Sequence, residues 1–399
     1  MPAIPTSIEG HDLSKLLKIA EKTVKAKTDN SQILDVSLEE RIPKFESSEL
    51  TLGTVLGRGG FCVVNEIVAI KLKDVSQGAS NAEKVADDDI NHIVQDRGFM
   101  QANCLRGKGK DCRYAIKKLQ DTSFNDASTF INGVVDLAVE ARFLAVIRHP
   151  NIIKMRATCL GTPFSPEYFV ILDRLYDIMG QRITKWKKKQ PKGLGRMMDR
   201  KGKKELAFWL ERVTVAYDLG CAIKYLHDSN IIYRDIKPDN IGFDVRDDVK
   251  LFDLGLVKEI DLNVRDKDGN FKLTGDTGSP RYMAPEIALH KPYNENVDVY
   301  SFCILMWQMF KMETPFEGYN MGMFQKKVVA GGARPAPDPK WPPEINNMLR
   351  RGWGDAKQRP SMEDVCEVLR SEISQNSDEE INEILDASRK SEMSLHRGF

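Results

Sequence analysis

The run Tyr233-Arg234-Asp235-Ile236-Lys237-Pro238-Asp239-Asn240 carries the residue types from which a group transfer to a hydroxyl could be built. Asp235 precedes Asn240 by five residues, with Lys237 between them. A carboxylate placed there could orient an acceptor hydroxyl and take its proton. An amide oxygen could ligate a hard divalent cation, and an ammonium could neutralise a phosphoryl group in transit. Eighteen residues beyond Asp235, behind a short apolar run that reads as a strand, Asp253 opens the triplet Asp253-Leu254-Gly255. It offers a second oxygen ligand. Mg²⁺ suits so sparse a set, because it keeps phosphates and water in its coordination shell.

These groups need elements that hold a phosphate near them. The stretch from Gly57 to Val64, "GRGGFCVV", sits between two alternating apolar runs. Glycines let backbone N–H groups approach a phosphate with no Cβ in the way. A tight hairpin turn accounts for the same glycines. Two lysines follow in similar settings, Lys71 in "VAIK" and Lys117 in "YAIK". Lys71 lies seven residues past Val64. At about 3.3 Å per residue that is roughly 23 Å along one strand, too short a stretch for a turn and a return. Lys117 can sit on a separate strand running back antiparallel. A helical pattern follows it, "TFINGVVDLAVEARFLAVI", and carries Glu140. The expectation is a Lys117–Glu140 pair, with Lys71 a surface lysine at a strand edge.

The totals exclude several classes. With 59 basic and 58 acidic residues the chain has a formal charge of +1, so no global field draws it to nucleic acid or membrane. Seven scattered cysteines without a C-x-x-C pair argue against disulfide or zinc frameworks and for a reducing compartment. The N-terminus shows no basic-then-apolar signal pattern, and no apolar run approaches the ~18–20 residues of a bilayer span. A cytoplasmic location is expected, with a nuclear one open.

Along the chain, residues 1–48 read as an N-terminal extension with one short helix at Leu13, Leu16, Leu17, Ala20 and Val24, packed on the main body or docking a partner. Strand patterns run from Glu49, interrupted by a polar insertion at 74–111 without sustained period. A basic run at 185–204 holds ten Lys or Arg against one Asp. It reads as a solvated loop, or as a dock for an acidic partner or a nuclear-import signal. Helical patterns dominate to about Ser371, and 372–399 reads as a charged, weakly ordered tail.

From about Glu49 to Arg370 the chain resembles a eukaryotic protein kinase. The residues that carry this are "YRDIKPDN", "KLFDLG" and "YMAPE", and "DVYSF" and "QRPSMEDV" are similar to the tyrosine-kinase-like group of serine/threonine kinases. The resemblance implies an α+β, two-lobed protein kinase fold: a small strand-rich N-lobe (about 49–172), a hinge (173–175) and a larger helical C-lobe (about 176–371), with ATP in the cleft. It implies Mg-ATP as phosphoryl donor, with Lys117 and Glu140 over the α and β phosphates and Asn240 and Asp253 on Mg²⁺. Asp235 and Lys237 are the implied catalytic residues. Leu56, Gly57, Gly59, Val64, Ala115, Leu172 (gatekeeper), Asp173 and Leu175 are the implied nucleotide contacts. Arg234 would clamp a phosphate on Thr274 or Thr277, Ser279 would bond the catalytic pair, Glu286 would pair with Arg359, and Asp298 would brace the catalytic loop. Implied partners are protein substrates and an upstream kinase. Nucleic acid and membranes are not expected, and the oligomeric state is open.

Five positions depart from the family pattern: Tyr233 for the usual His, Leu254 for Phe, Cys62 for the third glycine, Ser279 for the usual Thr, and Gly242 where a leucine usually floors the adenine site. With Lys117, Glu140, Asp235, Lys237, Asn240 and Asp253 all present, an active serine/threonine kinase is the primary reading. A pseudokinase scaffold, a dual-specificity kinase and a small-molecule kinase are the alternatives.

Overall fold

The computed structural model describes residues 7–73, 87–106, 111–190, 199 and 202–397. The chain divides into two compact units. The first runs to Arg148 and includes Ile153–Arg174; the second takes His149–Ile152 and continues from Leu175.

The first unit is built on a six-stranded sheet. Its strands are β1 (Lys44–Phe45), β2 (Leu50–Arg58), β3 (Cys62–Ile70), β4 (Tyr114–Leu119), β5 (Met155–Cys159) and β6 (Phe169–Asp173), in the order β1-β5-β6-β4-β3-β2. All neighbours are antiparallel except β1 and β5. Helix α3 (Ala127–Val146) starts where Asp126 accepts a hydrogen bond from the Thr129 amide. It buries Phe130, Val134, Leu137, Ala138, Ala141 and Leu144, residues at three- and four-residue steps. Burying each of Phe130, Val134, Leu137 and Leu144 stabilises the unit by about 1.5–3 kcal/mol relative to exposure.

The helix expected in the extension packs on the main body, while a strand there and a helix in the insertion were not expected. The extension before residue 49 contributes β1 to the sheet, and its helix α1 (Leu13–Thr28) buries Leu16, Ala20 and Val24 against α3. The insertion at 74–111 contains a 16-residue helix, α2 (Asp87–Ala102). Its sequence shows no period because its hydrophobic residues do not form a stripe. Arg97 anchors it, bonding Glu49 Oε1 at 2.5 Å and the Lys44 carbonyl at 2.9 Å. Residues 74–86 and 107–110 of that insertion lie outside the described residues.

The second unit is mainly helical: α4 (Met179–Lys189), α5 (Lys203–Asp228), α6 (Asn296–Lys311), α7 (Pro343–Gly352), α8 (Met362–Asn376) and α9 (Glu379–Arg397). Helix α6 is apolar on nearly every side and is its core. A capping box between Ser361 and Asp364 starts α8. A small sheet joins β7 (Asp177–Ile178), β8 (Ile241–Phe243) and β9 (Val249–Leu251).

Two further expectations are corrected. Residues 185–189 of the basic run are the last turn of α4, with Trp186 buried, and 203–204 begin α5; a helix that packs one face tolerates lysines on the other. Residues 191–198, 200 and 201 lie outside the described residues. The tail at 372–399 completes α8 and forms α9, whose Ile381 is fully buried against Ala207 and Leu210. Most of its charges are exposed, while Glu392 is buried and pairs with Lys189, so net polarity hid an amphipathic helix.

Candidate active site

In the first unit, β2 and β3 form a hairpin whose tip is Gly59-Gly60-Phe61. Gly57 stands opposite Val64, and Val64 opposite Lys117 on β4. The tip is held from below: Gln120 Nε2 donates to the Gly59 and Gly60 carbonyls at 3.1 and 3.0 Å, and Ser123 Oγ donates to the Phe61 carbonyl at 2.6 Å. A Cβ built at Gly57 or Gly60 would meet no atom of the chain within 4 Å. Neither residue has a positive φ. Packing and backbone geometry therefore do not require glycine at either position.

Lys117 Nζ donates to Glu140 Oε2 at 2.6 Å, and the Glu140 side chain is 1% exposed. Lys71 lies just past the end of β3, exposed, its amide bonded to the Glu49 carbonyl. Ala115 is the register partner of Leu172 and of Glu66, and both Ala115 and Leu172 are buried. Leu56 is exposed on β2. The amides of Asp173 and Arg174 are committed to the Lys154 and Arg113 carbonyls, and the Asp173 carboxylate is held by Arg156 through two bonds of 2.8 Å. Asp173 thus has a structural occupation that its sequence context did not announce. Cys62 is buried on β3 opposite Leu119, where a small side chain fits.

In the second unit, Asp235 collects three side chains. Its Oδ2 accepts from Lys237 Nζ at 2.6 Å and Asn240 Nδ2 at 2.9 Å, and its Oδ1 accepts from Ser279 Oγ at 2.9 Å. Asn240 Nδ2 also donates to the Asp235 carbonyl, so its amide orientation leaves Oδ1 as the oxygen available to a ligand. Asp298, fully buried, accepts from the Tyr233 and Arg234 amides at 2.7 and 2.8 Å and pairs with His227 Nε2 at 2.9 Å. It pins the backbone just before Asp235. Arg234 and Asp253 both adopt left-handed φ values, 71° and 65°. Such strain is held only where the surroundings over-determine it, and it concentrates at functional sites.

Residues 98–370 match the protein kinase domain family. The chain belongs to the protein kinase family. The kinase is 27% identical over 248 residues to the serine/threonine-protein kinase STY17 of Arabidopsis thaliana, covering 61% of this chain and 39% of that protein. It is 29% identical over 273 residues to the dual specificity protein kinase shkB of Dictyostelium discoideum, covering 67% and 37%. To STY46 of Arabidopsis thaliana, also named a serine/threonine-protein kinase, it is 35% identical over 167 residues, covering 42% and 28%. These alignments span 28 to 39% of the relatives' own lengths. The glycine hairpin lies ahead of the matched span.

Elsewhere in the kinase, Arg359 grips Glu286 through both terminal nitrogens, at 2.5 and 3.0 Å. Arg234 Nη1 reaches Thr274 Oγ1 at 3.1 Å, and Thr274 and Thr277 hydroxyls lie 3.1 Å apart. Tyr293, not singled out in the sequence, holds the Thr274 carbonyl with its hydroxyl at 2.9 Å. Gly278 has φ +98°, and a Cβ there would lie 2.3 Å from the Arg234 carbonyl oxygen. Glycine is therefore demanded next to Ser279. At Gly242 a Cβ would lie 2.7 Å from Leu175 Cδ1 and 3.0 Å from the Asp177 carbonyl oxygen. Leu175 occupies space that a side chain at 242 would enter. Gln120, Ser123, His227 and Tyr293 were missed because each acts through a bond to backbone or to a buried carboxylate, which many residue types at many spacings can make.

Proposed function

We propose that this kinase is an ATP-dependent protein serine/threonine kinase, transferring the γ-phosphoryl group of ATP to serine or threonine hydroxyls of protein substrates. The observation that carries the reading is the Asp235 carboxylate, fixed by Lys237, Asn240 and Ser279 at hydrogen-bond distance. In the reaction the substrate hydroxyl oxygen forms a bond to the γ-phosphorus. The bond from that phosphorus to the bridging oxygen breaks, its electron pair leaves with ADP, and the hydroxyl proton passes to Asp235. Lys237 neutralises charge on the transferring group.

The glycines at 57 and 60, unneeded for packing, support backbone approach of the nucleotide phosphates. Lys117, held by buried Glu140, is the candidate phosphate ligand. Val64, Ala115, Leu172 and Leu56 are the candidate adenine contacts of the first unit, and Leu175 of the second. Asn240 Oδ1 and the Asp253 carboxylate are hard oxygen donors that fit Mg²⁺, which supplies charge neutralisation on the phosphates when bound. Lys237-Pro238 supports serine/threonine over tyrosine acceptors by family resemblance. Among the described residues no helix is long and apolar enough to cross a membrane. A cytoplasmic site of action is the accompanying proposal.

Regulation follows from Arg234. Its contact with Thr274 supports a phosphothreonine clamp that orders the segment from Asp253 to Glu286. Thr274→Ala/Thr277→Ala is then expected to lower activity, and full activity in that variant overturns the clamp.

The deciding experiment is ATP/Mg²⁺ phosphorylation of a peptide library, with Asp235→Asn as control. Transfer to Ser and Thr peptides is expected. No transfer above the control makes the chain a scaffold, and equal or preferred transfer to Tyr peptides replaces the serine/threonine reading with a dual or tyrosine specificity.

A further inference from the structure

A cavity of about 1070 Å³ opens on the second unit, among the segment 285–296, the end of α7 and the turn at 353–359. Six cations line it, Lys267, Lys291, Arg334, Arg350, Lys357 and Arg359, against three carboxylates, Asp268, Glu286 and Asp355. Two of the cations are neutralised within the fold. Arg359 grips Glu286, and Lys357 Nζ donates to Asp268 Oδ1 at 3.0 Å. Asp355 Oδ1 accepts from the Lys357 amide at 2.9 Å. The other four cations have no ion pair among the described residues.

Arg334 is a fixed charge. Its Nε donates to the Trp353 carbonyl at 2.7 Å, and its Nη1 donates to the Val328 and Ala333 carbonyls at 3.1 and 2.8 Å. Carbonyls orient the guanidinium without cancelling its charge. It also lies 5.1 Å from the ring centroid of buried Tyr300, as does the Arg359 guanidinium. Lys267, Lys291 and Arg350 are exposed, so their charges are open to a ligand. A cleft lined mostly by one sign of charge concentrates the opposite sign at its mouth. These four cations come from separate stretches of chain around one large opening, which suits a ligand with several anionic groups over one compact anion. Leu289, 46% exposed, and the neighbouring Pro285 and Pro292 add apolar surface to the same cavity. An aliphatic side chain can use that surface, and a phosphodiester backbone cannot.

We propose that this cavity docks an acidic segment of a partner protein, with its carboxylates on Lys267, Lys291, Arg334 and Arg350 and an aliphatic side chain on Leu289. Charge complementarity selects the acidic partner, and the apolar surface selects a peptide. The exposed Arg350 fork can take a carboxylate bidentately.

The test is fluorescence anisotropy of the full chain, without nucleotide, with a fluorescein-labelled peptide, acetyl-Asp-Glu-Leu-Glu-Asp-Glu amide. The same peptide with Asn for Leu, one with Lys for each acidic residue, and a labelled oligothymidylate run beside it. Binding of the first peptide is expected, falling as salt rises and weakened about tenfold or more by Lys291→Glu/Arg350→Glu. Loss of the Leu should weaken it further, and the Lys-for-acid peptide should not bind. Lys15→Glu/Lys18→Glu makes the same change in net charge on exposed residues of α1 in the first unit, and should bind like the unsubstituted chain. Melting temperature and kinase activity on peptides should be unchanged in the cavity variant, since neither residue belongs to the candidate catalytic set. If that variant melts lower, Lys267→Glu/Lys291→Glu carries the same test. Absence of binding, equal affinity in the cavity variant, an equal loss in the α1 variant, binding of the Lys-for-acid peptide, indifference to the Leu, or tighter binding of the oligothymidylate overturns the proposal.

Discussion

Lys117 Nζ stands 2.6 Å from a buried Glu140 carboxylate, while Lys71 ends exposed beyond the strand that carries Val64. The two lysines share a local sequence but not a partner. Lys117→Met is expected to lower phosphoryl transfer by on the order of 10²–10³, and Lys71→Met to leave it within about twofold. Steady-state assays on both variants check this, and the reverse pattern refutes the pairing as the functional one.

Gly242 and Leu175 compete for one volume. Gly242→Ala places a Cβ 2.7 Å from Leu175 Cδ1, so it should destabilise the protein by about 1–3 kcal/mol. In a Leu175→Ala background the same substitution should cost less, because the clashing methyl is gone. A denaturant double-mutant cycle measures the difference, and strict additivity contradicts the steric account.

Helix α1 bears on the helix that positions Glu140. Ala20 and Val24 are fully buried, and Thr28 Oγ1 accepts a 2.6 Å bond from Arg142, two residues past Glu140. Val24→Asp buries a charge without a partner and should cost about 2–4 kcal/mol. Hydrogen exchange over 127–146 should accelerate and transfer should fall at temperatures where the rest of the chain stays folded. Unchanged exchange in α3 would show that the extension does not brace it.

Asp218, on α5, carries a pKa raised from 3.8 to about 6, chiefly by burial and then by the charge of Asp248, with Arg389 and Lys250 opposing. The folded chain therefore holds this proton where the unfolded chain has released it. The sign is a loss of stability as pH rises from about 4 through about 6. Asp218→Asn should raise stability at pH 7.5 by on the order of 2 kcal/mol and have little effect near pH 4. Melting curves at both pH values decide it, and an equal gain at each removes the titration argument.

The candidate catalytic constellation was legible because it is local. Asp235, Lys237 and Asn240 lie within one tight loop, where spacing alone dictates proximity. The pairing of Lys117 with Glu140 was legible at longer range because strand length excluded Lys71. Helices α2 and α9 were not. One lacks an apolar stripe, and the other hides a narrow one among charges, so only burial of residues such as Ile381 identifies the fold there.

The sequence by itself determined which chemistry is present, since residue type and short spacing set what a loop of eight residues can do. Tertiary structure decided what those residues rest on. Gln120 beneath the glycine turn, His227 and two amides on Asp298, and Leu175 over Gly242 all join positions distant in the chain. Such contacts leave no periodic or local mark, because packing and hydrogen bonding select shapes and atoms that many sequences can supply.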